Sequence, residues 1–216
     1  AKYGLDKPMA ERYFTYISDA AHGDFGDSLK QRGRTVMDII ATKFPVSAKL
    51  GGMAVVLALC VGVPLGVLAA YKRGTFIDSL FSVIATCGIA VPGFVICTLL
   101  LYVFGVKLQW LPTLGLKSAQ SYIMPVVALA AYPTSYIMRL MRSSMLDVLG
   151  QDYMRTAKAK GLSQKVSLFK HALRNAILPV ITYVGPMLAY TLTGSFVTEK
   201  IFTIPGLGGE FIKAIN

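Results

Sequence analysis

Residues 51–70, GGMAVVLALCVGVPLGVLAA, run without a single charge. A bilayer core about 30 Å thick is crossed by roughly 20 such residues as a helix. No water is available there to satisfy free backbone groups, so an apolar run of this length in lipid must be helical. Placing its ends by the flanking polar residues gives a first span over residues 46–71. Gly62, Pro64 and Gly66 fall inside it. In lipid, neighbouring helices can tolerate such residues, and small ones let helices approach closely.

Three further apolar stretches follow, at about 79–106, 122–140 and 176–197. Pro92-Gly93 predicts a kink in the second, Pro133 interrupts the third, and Pro179 and Pro186 lie in the fourth. Only 15% of the residues are charged and 54% are hydrophobic, where a soluble domain carries about 25% charge. The fold class expected is all-α and polytopic, facing lipid. Residues 1–45 are polar and mixed, with His22, the run GDFGDSL and the cations Lys30, Arg32 and Arg34. They read as an extracytoplasmic segment of short helices and turns, leaving 46–216 as the transmembrane domain. The chain starts inside a polar stretch and stops just after a Gly-rich motif, and a further membrane helix is expected at one or both ends.

The formal charge of +11 needs no nucleic acid to explain it. Lys72 and Arg73 follow the first span. Arg139, Arg142, Arg155, Lys158, Lys160, Lys165, Lys170 and Arg174 lie around the loop between the third and fourth, against Asp147 and Asp152. If every span crosses once, both groups share one side, and the positive-inside rule makes that side cytoplasmic. Trp110 then sits in an outer loop, where an aromatic belt residue belongs.

The loop at about 147–176 carries the most information. Read as helix, it stacks Ala157 and Gly161 on one face as a small-residue notch. Gly161 offers a helix stop and Ser163 a cap for the next helix. Leu162, Val166, Phe169 and Leu173 make one apolar stripe, and Leu178-Pro179 enters the last span. Such an elbow either rests on anionic lipid or docks into a groove of a cytoplasmic partner.

The run DYMRTAKAKGLSQKVSLFKHALRNAILP, residues 152–179, resembles the coupling loop of bacterial ABC-importer permeases. The family pattern is Glu-Ala-Ala, three residues, Gly, a spacer, then Ile-x-Leu-Pro. Arg155-Thr156-Ala157 stands at the triplet, Gly161 at the glycine, and Leu178-Pro179 at the end. The altered triplet and the long spacer are similar to the peptide and nickel branch. So are GDFGDSL, GVPLGVLAAYKRG and IFTIPGLGGEFIKAI, which together resemble that branch's B-type subunit along nearly the whole chain.

The resemblance implies a type I ABC-importer-like transmembrane domain lacking a helix at each end, in a bacterial or archaeal plasma (inner) membrane. It implies a pore-forming subunit for oligopeptides or dipeptides, with nickel or another small solute as the alternative. Its partners would be a second related permease, two ABC ATPase subunits and an extracytoplasmic solute-binding protein. Arg155, Thr156, Ala157, Gly161, Leu162, Val166, Phe169, Leu178 and Pro179 would form the ATPase-coupling loop. ATP and Mg would sit on the ATPases, with no cofactor on this chain.

The residues themselves offer no engine. No P-loop, GxSxG or HExxH motif is present, and no Cys/His spacing suits a metal. His22 and His171 read as surface histidines, and Cys60, Cys87 and Cys97 as small buried residues. No catalytic residue is expected. Thr86, Thr134, Ser135, Tyr183, Tyr190 and Thr191 are the named candidates for a translocation path, with Thr98, Tyr132, Thr182 and Thr193 also in the spans. Each hydroxyl can equally bond its own helix. A path without fixed charge suits solutes held through a peptide backbone. A secondary transporter would need an intramembrane carboxylate, for which Asp78 is the nearest residue. Pro205-Gly206-Leu207-Gly208-Gly209 reads as a sharp outer turn, flanked by Glu199 and Glu210 in solvent.

Overall fold

A computed structural model describes residues 8–163, 166–192 and 196–215. Lys165 and Thr193, and the side chains of Lys158 and Lys170, lie outside the described set. Helix α1 is Met9–Ala21. A loop with a lone bridge between Asp27 and Thr35 leads to α2, Val36–Tyr71. Thr35 starts that helix: its side chain accepts from Asp38 N–H at 3.1 Å, and the Asp38 carboxylate accepts from Thr35 N–H at 3.3 Å. Such a reciprocal cap fixes the first turn. The helix therefore begins well before residue 46 and passes through Pro45 and Pro64 unbroken.

A tight turn at Lys72–Thr75 precedes α3, Phe76–Ala90, and α4, Gly93–Leu100, which runs on as a wider turn over Leu101–Lys107. The two halves meet at 102°. Val91 and Pro92 are both extended at the break, because proline pushes its predecessor out of the helical region and lacks an N–H itself. The predicted kink is thus a full bend. A short turn at Ala119–Tyr122 leads to α5, Ile123–Leu149, which continues through Pro133 and past the expected end near Leu140. The loop region holds α6, Asp152–Ala159, a widened turn at Ser167–Ala172 and α7, Leu173–Ala176. Helix α8 is Leu178–Leu192, α9 Phe196–Ile201 and α10 Leu207–Ile215.

Helices α2 and α5 form the spine and run parallel. Lys49 sits 4.7 Å from the Tyr122 ring centre at one end. Farther along, a β-carbon on Gly62 would lie 2.8 Å from the Thr134 carbonyl oxygen, and one on Gly66 2.6 Å from that of Met138. Only glycine permits that approach, and the four-residue spacing puts both on one face. The segment between these parallel helices must return from the far end of α2 to the start of α5. Asp78 meets Arg142 at one end, and Gly105 packs on Thr113 and Met124 at the other. The bent pair α3–α4 therefore makes one traverse, alongside the apolar helices α2, α5 and α8. Helix α8 runs back, its Thr191 main chain pressed on Gly51. The turn at Lys72-Arg73 and the elbow at about 147–176 accordingly share one end, the basic one.

Cys97 is buried as expected, whereas Cys60 and Cys87 are exposed on outward faces. Their apolar neighbours do not distinguish lipid-facing positions from core.

Candidate functional site

The elbow is assembled from α6, the turn after it, and the widened turn leading to α7. Gly161 has φ +76°, the left-handed region where glycine ends helices cheaply. Leu162 N–H bonds back to the Ala157 carbonyl at 3.2 Å, and Ser163 Oγ accepts from Val166 N–H at 3.4 Å. Gly161 thus lies beyond the end of α6 rather than stacked on a helix with Ala157. A side chain there would meet nothing within 4 Å, so its constraint is conformational.

One face of the elbow packs onto the bundle. Met154, Ala157, Ser167, Leu168, Ala172 and Ala176 are buried. Met154, Leu168, Ala172 and Ala176 form one cluster with Met141 and Met145 of α5. Asn175 Nδ2 donates to Tyr153 Oη at 2.9 Å, joining the two arms. The other face is bare: Leu162, Val166 and Phe169 are 39%, 40% and 60% exposed. Ala157 therefore belongs to the packed side, and Leu173 is half-buried. Arg155 and Thr156 point to solvent, as do Leu178 and Pro179 at the start of α8. Arg155 makes only a loose, exposed ion pair with Asp152 at 3.7 Å.

Above the elbow, Arg142 grips Asp78 with two hydrogen bonds, Nε to Oδ1 at 2.6 Å and Nη2 to Oδ2 at 2.8 Å, while Gly74 N–H adds a third at 3.0 Å. Asp78, the nearest candidate for an ion-coupling carboxylate, is fully engaged.

Between α3, α4, α5 and α8 opens a cleft of about 540 Å³. Tyr132, Tyr183, Tyr190 and Thr191 line it together with Pro92, Pro186 and Thr198, and among the described residues no charged one does. Tyr136 lies 4.4 Å from the Tyr183 ring and stacks on Tyr132 at 6.3 Å. Of the named path residues, Tyr183, Tyr190 and Thr191 are brought together here. Thr86, Thr134 and Ser135 are not among the lining residues: Thr86 is exposed and bonds its own helix at Ser82 O, and Ser135 is buried against Gly88. Thr98, Thr182 and Thr191 likewise donate to their own helices.

The end remote from the elbow holds what the sequence did not disclose. Glu199, expected in solvent, is 1% exposed. Ser47 Oγ donates to its Oε1 at 2.6 Å, and Gly209 N–H to its Oε2 at 3.1 Å. Ser47 Oγ in turn accepts from Leu207 N–H at 2.8 Å. A β-carbon on Gly206 would lie 2.5 Å from the carboxylate, so the turn is folded around it. Glu210 is also held, by Gln31 Nε2 at 2.7 Å and Lys213 Nζ at 2.9 Å. A buried carboxylate persists only when its oxygens are bonded, and the glycine-rich run 206–209 gave no sign in the sequence that it folds over Glu199.

Residues 62–216 match the family described as binding-protein-dependent transport system inner membrane component. The whole chain is 47% identical to the dipeptide transport system permease protein DppB of Bacillus subtilis (strain 168), spanning 70% of that protein. It is 44% identical to the oligopeptide transport system permease protein OppB of Salmonella typhimurium, and 42% to that of Escherichia coli K12, spanning 72% of each. Among solved structures, the crystal structure of an amino acid ABC transporter with histidines shares the fold. It aligns at TM-score 0.59 and 16% identity over 93% of this chain and 83% of that one.

Proposed function

The chain belongs to the family of binding-protein-dependent transport system inner membrane components, and from that premise we propose that it is a pore-forming permease subunit of an ABC importer for dipeptides or oligopeptides. Identity of 42–47% along the full chain with permeases of dipeptide and oligopeptide systems is the observation that carries this reading. The cleft supports it chemically. Tyrosine hydroxyls on an uncharged wall can hold a peptide main chain while tolerating varied side chains. A small metal cation would find no carboxylate there.

The elbow at the basic end is the docking element. Its bare Leu162, Val166 and Phe169 enter a groove on a cytoplasmic ATPase subunit, while its packed face passes displacement to α5 and α8. ATP is hydrolysed on two such subunits. A second, related permease completes the pore, and an extracytoplasmic binding protein delivers the solute. The basic end faces the cytoplasm of the cell whose plasma membrane holds the complex.

The test is reconstitution of the full importer in proteoliposomes, with uptake of labelled dipeptides, oligopeptides and nickel compared under ATP. ATP-dependent peptide uptake is expected. Nickel uptake alone, or peptide uptake that survives ATP depletion and collapses with an uncoupler, overturns the reading. Gly161→Trp should release the ATPase, while Gly161→Asn, which tolerates the left-handed turn, should retain it.

A further inference from the structure

Glu199 directly follows Thr198, which lines the cleft. Both sit on α9, a helix of six residues, too short to hold its own position. Thr198 Oγ1 lies 3.6 Å from the buried Cys97 Sγ of α4 on one side. On the other, the Glu199 carboxylate takes its hydrogen bond from Ser47 of α2. The chain then turns back over it: Ile204 N–H bonds to the Glu199 carbonyl at 2.7 Å, and Leu207 and Gly209 close on Ser47 and the carboxylate. A single buried acid thus joins α2, α9 and the 203–209 turn. All three meet beside Thr198 of the cleft wall, at the end of the bundle away from the elbow.

Resting on the permease reading above, we infer that Glu199 is the positioning residue that seals this end of the path. It pins α9, whose Thr198 lines the cleft, to α2, and loosening the pin leaves the path permeable without ATP. The chemistry fits the role. A charge-assisted bond with a buried carboxylate is stronger than a neutral one, yet Ser47 can leave it by a rotation about one bond. Apolar packing of the same area would have no comparable single point of release.

The experiment uses the complete importer in vesicles preloaded with a labelled dipeptide and free of ATP. Glu199→Gln keeps the volume but weakens the acceptor, and Ser47→Ala removes the bridging hydroxyl. Both assembled variants should release the dipeptide about ten- to hundredfold faster than the parent, as loss of one charge-assisted bond would give. Release at the parental rate from an assembled variant overturns the inference. So does failure of both variants to assemble, which would make the acid a folding element only. Parent vesicles that hold their label but do not accumulate peptide with ATP would sink the importer reading while leaving the leak comparison standing.

Discussion

The two ends of the bundle solve opposite problems. At the end remote from the elbow, polar groups are buried and satisfied: Glu199 and Ser47 are each 1% exposed and bonded to one another and to the turn. At the basic end, apolar groups are left in the open on the elbow, and Phe169 is 60% exposed. A closed hydrogen-bond network needs nothing further. An apolar stripe on an otherwise packed element gains free energy only when something covers it. A buried hydrogen-bond network and the bare stripe of the proposed docking element thus stand at opposite ends of the same helices.

Substitutions graded along this axis can break the comparison. Gly208→Val should have the largest effect, because its β-carbon would lie 2.8 Å from the Phe196 amide nitrogen and 3.0 Å from the Glu199 carboxylate. Overpacking with a disturbed buried acid should cost about 3 kcal/mol or more, read as the fall in Tm of the chain in detergent. Arg142→Met comes next. It strands Asp78, which is 5% exposed, but Arg142 itself is 30% exposed and partly screened. About 1–3 kcal/mol is expected by the same melt. Phe169→Ser should move stability by less than about 0.5 kcal/mol, yet cut ATPase co-purification roughly tenfold. Equal melting losses for Phe169→Ser and Gly208→Val would erase the distinction. Arg155→Ala removes only an exposed pair with Asp152 and should leave the melt unchanged.

The sequence disclosed the spans, the bend and the elbow for a common reason: each is written in consecutive residues. Charge-free runs mark the helices, Pro92 marks the bend, and Gly161 marks the reversal. Helix limits were less legible. Residues 36–45 look polar enough for a loop, and Pro45 looks like a boundary, but the Thr35–Asp38 cap begins the helix earlier. The parallel seam could be suspected from Gly62 and Gly66 but not assigned a partner. Glu199 was illegible because its partner, Ser47, is far away in sequence. A lone glutamate beside a glycine-rich turn looks solvated until the fold closes over it. The cleft had the same difficulty. Tyr183 and Thr191 could be named as polar residues in a span, but which hydroxyls share a wall depends on helix rotation, and that is set by contacts between helices.

The glycine seam between α2 and α5 has a mechanical corollary. Side chains meeting across an interface can change rotamer and absorb a small displacement. Main chain resting on main chain, as at Gly62 and Gly66, leaves almost no such slack. Helix α5 has 27 residues, roughly 40 Å at about 1.5 Å per residue. On the docking reading proposed above, a tilt applied at its elbow end would pass along that length to α2 as by a stiff lever, toward the end where Ser47 holds the acid.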